Sequence, residues 1–195
     1  MKILFAGTPG IAVPSLRALA AAEGIDVVAV LTSPDKVSGR GRKLSPPAVK
    51  SAALELGIPV LQPEKLKAEA REEVAGFDAD LLVVFAYGKI FGPKFLGLFP
   101  RGGINMHPSA LPSFRGPAPL SAAIRAGESE TALTVQTVSL EAVDAGDIIL
   151  QKNYPLSGLE TTGSLTEAVA VDAAPVLVEA VQLLESSRAN PMPQD

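Results

Sequence analysis

The chain has 195 residues, 47% hydrophobic and 19% charged, the balance of a globular protein long enough to bury one substantial core. No run of eighteen apolar residues occurs, so a membrane span is not expected, and with no cysteine there are no disulfides, thiolate nucleophiles or cysteine-ligated zinc. A net charge of −4 argues against a generally basic nucleic-acid binder, and a single histidine is too little for a zinc site, so no metal is expected.

The start, "MKILFAGTPG", holds only a short apolar stretch, below what a signal peptide needs, so it reads as part of the folded domain and the cytoplasm is the expected compartment. "KILFA" (2–6) is a continuous apolar run ended by Gly7, the pattern of a strand covered on both faces. Residues 12–22 have helical apolar spacing, with Pro14 in the first turn, and 26–32 form a second strand. Residues 33–50, "SPDKVSGRGRKLSPPAVK", set five basic side chains against Asp35 alone, a net +4 that leaves −8 for the rest of the chain. So polar and Gly/Pro-rich a stretch reads as a solvated basic loop. A helix over 47–57, a short strand over 59–62 and a polar helix over 67–77 follow. "ADLLVVFAYG" (79–88) is the strongest buried-strand pattern in the chain. Strands are expected over 102–107 and 131–138, with a short helix over 120–127 between them and an apolar strand "DIIL" after them. A last helix covers about 163–185. The polar "SSRANPMPQD" beyond it reads as a linker.

Strands alternating with helices imply an α/β protein, with a Rossmann-like, mostly parallel twisted sheet and helices on both faces. Ligands of such sheets bind at the carboxyl ends of the strands. "FAGTPG" has two glycines three apart and no third, so an ordinary tight turn is favoured there over a dinucleotide site.

His107, the only histidine, ends a predicted strand at another such position. On its own it could be a hydrogen-bonded structural residue or an acid–base centre. Asn105 and His107 alternate along the strand, so their side chains share one face, where an amide donor and an imidazole could together stabilise an oxyanion. A carboxylate is needed to orient the imidazole. "LEAVDAGDIILQ" (140–151) offers Glu141, Asp144 and Asp147, and spacing does not choose among them.

"GGINMHPSALPSFRGPAP" (102–119) together with "VDAGDIILQ" resembles the 10-formyltetrahydrofolate-dependent formyltransferases. The likeness extends from "FAGTP" through "VVFAYGKI" and covers essentially the whole chain. It departs from the family at Ala110, where a second leucine is usual, and at Gly10, where an aspartate often stands. The resemblance implies catalytic roles for Asn105, His107 and Asp144. It implies folate binding by Ser109, Ala110, Leu111 and Pro112 and by the strand end Ala86, Tyr87, Gly88, Lys89 and Ile90. The basic segment is similar to the insertion of the branch that formylates methionyl initiator tRNA, which implies tRNA contacts by Lys36, Arg40, Arg42 and Lys43. The co-substrate would be 10-formyltetrahydrofolate and the acceptor the methionyl α-amino group, with no metal. A catalytic domain is expected over 1–188, with 189–195 opening a linker to a further C-terminal domain, and a monomer is expected. Alternatives are a formyltetrahydrofolate hydrolase, or formylation of glycinamide ribonucleotide or an amino sugar nucleotide, none of which accounts for the basic segment.

Overall fold

The computed structural model describes residues 1–38 and 43–195. They gather into two compact units, Met1–Gly103 and Ile104–Asp195.

In the first unit, β1 (Lys2–Gly7) is the central strand, and Ile3, Leu4, Phe5 and Ala6 are wholly buried, as a strand covered on both faces requires. It pairs in parallel with β2 (Asp26–Leu31) on one side and β6 (Leu81–Phe85) on the other, and β2 pairs in parallel with β5 (Val60–Leu61). The order β5-β2-β1-β6 puts a topological switch point between β1 and β6. Parallel neighbours need crossovers, supplied by α1 (Val13–Ala21), α2 (Ala48–Glu55) and α3 (Ala68–Ala75). In α1, Leu16 and Leu19 are fully buried and Pro14 sits in the first turn, where its missing N–H costs no helical bond. Gly7 explains the "FAGTPG" turn: a Cβ there would lie 2.9 Å from both the Phe85 carbonyl oxygen and the Phe5 ring. The glycine allows β1 and β6 to close at the switch point, and a 3₁₀ turn over Gly10–Ala12 follows.

Two expectations for this unit need correction. The strand predicted over 79–88 stops at Phe85, because Ala86 (φ 53°) and Gly88 (φ 81°) take left-handed conformations that turn the backbone out of the sheet. Beyond it, Tyr87, Phe91, Phe95 and Phe99 contact one another in series with ring centroids 5.5, 5.2 and 5.9 Å apart, the first pair stacked and the other two tilted, around a short helix α4 (Pro93–Leu96) that the sequence pattern did not indicate. The basic segment, expected as a loop, is a ribbon where it is described. There β3 (Lys36–Ser38) pairs antiparallel with β4 (Lys43–Ser45), and Val37 stands opposite Leu44. Its base is tied by Asp35, which accepts hydrogen bonds from Gln62 and Lys50; these hold its carboxyl below the ordinary carboxylate value.

β7 (Gly103–His107), which belongs to the second unit from Ile104 onward, forms an antiparallel series there with β8 (Glu130–Thr137) and β9 (Ile148–Pro155). α5 (Pro119–Ala126) follows the first of them and ends at Gly127 in the left-handed conformation (φ 71°). α6 (Thr162–Glu185) packs against β8, β9 and α5. It starts at a reciprocal cap: the Ser164 N–H donates to Thr161 Oγ1 at 3.1 Å and the Thr161 N–H to Ser164 Oγ at 3.0 Å. Leu165, Val169, Ala173, Leu177, Ala180 and Val181 make its buried stripe at helical spacing. No helix among the described residues is long and apolar enough to cross a membrane.

Candidate active site

The site of the second unit is built on the face shared by β7 and β8. The register sets Asn105 opposite Gln136 and His107 opposite Thr134, so all four side chains share one face while Ile104 and Met106 are buried on the other. His107 is 5% exposed and Gln136 1% exposed, so each of their polar atoms needs a partner.

Asp144 is the shared acceptor of this face. Its Oδ1 accepts from Asn105 Nδ2 at 3.1 Å and from Gln136 Nε2 at 3.0 Å. Its Oδ2 accepts from the Gly116 N–H at 2.9 Å and lies 3.6 Å from His107 Nδ1. Of the three candidate carboxylates, the structure brings Asp144 alone to the Asn105–His107 face; Glu141 and Asp147 are exposed. Two local features aim it. Asp144 is in the left-handed conformation (φ 53°), which costs a non-glycine residue on the order of 1 kcal/mol. Gly146 is pressed so closely on β8 that a Cβ would fall 1.8 Å from the Thr137 carbonyl oxygen. Asp147 then rejoins the strand ladder through Thr137, its N–H donating to Thr137 Oγ1.

The other ring nitrogen of His107 is fixed by the proline-rich loop. Nε2 lies 2.9 Å from the Phe114 carbonyl oxygen, and since a carbonyl only accepts, Nε2 carries a proton. Acid–base chemistry at this ring therefore belongs to Nδ1, whose 3.6 Å separation from Asp144 is too long for a hydrogen bond and leaves the nitrogen open to a substrate atom. The loop reaches this position through left-handed turns at Phe114 (φ 57°) and Gly116 (φ 104°). Thr134 Oγ1 donates to the Ser109 carbonyl, Gln151 Nε2 to the Leu111 carbonyl and Ser109 Oγ to the Ser113 carbonyl. Ser109 and Leu111 are consequently buried scaffold, while Pro112 is exposed and Ala110 partly so.

The strand end of the first unit divides similarly. Ala86, Gly88 and Ile90 are exposed, with nothing within 4 Å of a Cβ built on Gly88. Tyr87 is buried in the aromatic series, and burial pushes its phenol up to about 12. Lys89 donates to the carbonyls of Pro63 and Glu64, and desolvation holds its ammonium below the ordinary lysine value. In the basic ribbon Lys36 is exposed and Lys43 opens β4, while Arg40 and Arg42 lie outside the described residues.

Sequence reasoning missed Gln136 and Gln194. Gln136 Oε1 accepts from the Gly146 N–H at 3.1 Å and from Gln194 Nε2 at 2.9 Å. Its signal was a lone amide inside the apolar "TALTVQTV". The tail, expected as a free linker, is docked: Met192 and Ile148 exchange both backbone hydrogen bonds, and Gln194 Nε2 also reaches the carbonyls of Asp144 at 3.1 Å and Gly146 at 2.7 Å. Among the described residues there is no group of three or more His, Asp or Glu that could hold a metal ion.

The fold is the α/β fold of solved formyltransferases. Glycinamide ribonucleotide transformylase 1 from Symbiobacterium toebii superposes with a TM-score of 0.76 at 22% identity, covering 100% of this chain and 93% of that one. An N-formyltransferase from Helicobacter canadensis, solved with folinic acid and dTDP-3-aminofucose, gives 0.72 at 20% identity over 100% of this chain and 68% of its own. The formyl transferase family model matches residues 1–181, and the chain belongs to that family. Methionyl-tRNA formyltransferases from Moorella thermoacetica and Treponema denticola are 45% and 42% identical over 100% of this chain. The chain spans 62% of the length of each of these two relatives.

Proposed function

We propose that the chain transfers the formyl group of 10-formyltetrahydrofolate to the α-amino group of methionyl initiator tRNA. The observation that carries the chemistry is the convergence of Asn105, His107 and Asp144 on one face of the β7–β8 pair. The choice of acceptor is supported by the whole-chain likeness to methionyl-tRNA formyltransferases and by the basic residues of the ribbon.

Asn105 Nδ2 spends one hydrogen on Asp144 and keeps the other for the formyl oxygen. Nδ1 of His107 becomes a second donor once it holds a proton beside the Asp144 carboxylate, and the pair then stabilises the oxyanion that forms when the amine attacks the formyl carbon. Asp144 holds Asn105 in place, faces the imidazole, and positions a water that carries a proton from the amine to the departing folate nitrogen. Folate recognition falls to residues 86–90 and 109–112, chiefly through their backbone. The side chains of Tyr87, Lys89, Ser109 and Leu111 are engaged within their own units. Lys36, Arg40, Arg42 and Lys43 serve the acceptor arm of the tRNA by charge.

The test is transfer of labelled formyl to methionyl initiator tRNA, with glycinamide ribonucleotide, an amino sugar nucleotide and water as competing acceptors. Formyl-methionyl-tRNA is the expected product. Release of formate, or formylation of another acceptor in its place, overturns the assignment.

A further inference from the structure

We infer that Gln194 is a positioning residue for formyl transfer, and that residues 190–194 act as a strap holding the Asp144 turn in its working geometry. This rests on the formyl-transfer reading of the site. The turn needs an external hold: Asp144 is in an unfavourable left-handed conformation, and its neighbours at 141–143 are exposed.

Gln194 supplies that hold from one amide. Its Nε2, whose two hydrogens are shared among three oxygens, lies within hydrogen-bonding distance of the carbonyls of Asp144 and Gly146 and of Gln136 Oε1, so it bridges the backbone of the turn to the buried glutamine that itself bonds the Asp144 carboxylate. Its Oε1 accepts from Arg115 Nε at 3.0 Å and Nη2 at 2.7 Å, and Arg115 precedes the Gly116 whose N–H bonds Asp144 Oδ2. One side chain therefore links both sides of the carboxylate, the 144–146 turn and the 114–116 loop. The paired hydrogen bonds of Met192 with Ile148 fix the strap to the edge of β9, limiting the freedom Gln194 loses on docking.

Donation and acceptance can be separated. Gln194→Glu keeps an acceptor for Arg115 but has no amide hydrogens to donate, whereas Gln194→Ala loses both. The full chain and both variants are compared for kcat and KM with methionyl-tRNA and 10-formyltetrahydrofolate. In parallel, ring ¹H–¹⁵N resonances are recorded; with one histidine in the chain they report His107 without ambiguity. Loosening a catalytic group by a fraction of an ångström to about 1 Å costs up to about a hundredfold, so both variants are expected to lose roughly tenfold to a hundredfold in kcat. Both KM values should stay within about twofold, as for an interaction that acts in the transition state. The His107 resonances should shift in both variants.

Wild-type kcat in either variant overturns the inference. So does a loss confined to KM with His107 resonances unchanged, which would make the tail a substrate contact. If the wild-type chain transfers no formyl group, the proposed function fails but the strap is still tested. Unchanged His107 resonances in both variants then sink it.

Discussion

Asp144→Asn is the most discriminating substitution in the site, because nearly the same atoms remain and only charge and donor polarity change. The carboxylate accepts three hydrogen bonds, two on Oδ1 and one on Oδ2, and its side chain is 11% exposed. An asparagine can satisfy two of them by placing its carbonyl oxygen at the Oδ1 position. Its NH₂ group then meets the Gly116 N–H donor to donor and faces Nδ1 of His107, where a negative charge had been. One charge-assisted bond is lost and one partly buried N–H is left unpaired, together about 3 kcal/mol. If that geometry is needed in the transition state, the cost corresponds to roughly a hundredfold in kcat. The measurement is single-turnover formyl transfer, with urea unfolding to confirm that the variant is folded. Asp147→Asn, at an exposed position whose structural contacts are made by the backbone, should keep near wild-type turnover. Wild-type turnover in folded Asp144→Asn, or a crippled Asp147→Asn, would refute the assignment.

Gly146→Ala should displace the turn, since the new methyl would sit 1.8 Å from the Thr137 carbonyl oxygen. A stability loss of about 3 kcal/mol with loss of turnover is expected, and an unchanged urea midpoint would contradict it. Glu160 accepts from the Ser157 N–H and hydroxyl and from the Gly158 N–H, which hold its carboxyl down at about 2 against an ordinary 4.5. A carboxyl lowered in the folded state stabilises it above the unfolded value, and the contribution fades as pH falls from 4.5 toward 2. Glu160→Gln should therefore flatten the acid side of the stability profile over that interval, and identical profiles by urea titration would count against the contacts. Arg40→Ala with Arg42→Ala should weaken tRNA use and make its salt dependence shallower by about two in log–log slope, one for each lost phosphate contact. Equal slopes in wild type and variant would reduce those arginines to solvated surface.

Much of this site could be read in advance, because alternation is a local property. "GGINMH" places Asn105 and His107 on one face whatever surrounds it, and β7 forms as read. The choice among Glu141, Asp144 and Asp147 could not be read. It depends on the handedness of one turn and on the close approach of Gly146 to Thr137, both products of tertiary packing. The part played by Gln194 was hidden for a related reason: its partners are about fifty residues away in sequence, at 136, 144 and 146. The basic ribbon misled because Gly and Pro density outweighed a faint period of two, in which Val37 and Leu44 alternate with Lys and Ser. The end of β6 was overrun because Ala86 and Tyr87 are compatible with a strand, and only the left-handed backbone shows where pairing stops.

The β7–β8 register also governs which changes of length the second unit can inherit. One residue inserted within 103–107 would rotate every later side chain of the strand by half a turn, presenting Ile104 or Met106 to the carboxylate and pushing an amide or an imidazole into the apolar layer. The same insertion within 140–143 would lengthen an exposed stretch upstream of the Gly146 anchor and leave the pairing untouched. Descendants of this chain are thus free to lengthen the approach to Asp144, while the strand that faces it is held to a fixed count, like the teeth of a gear that must keep mesh with its neighbour.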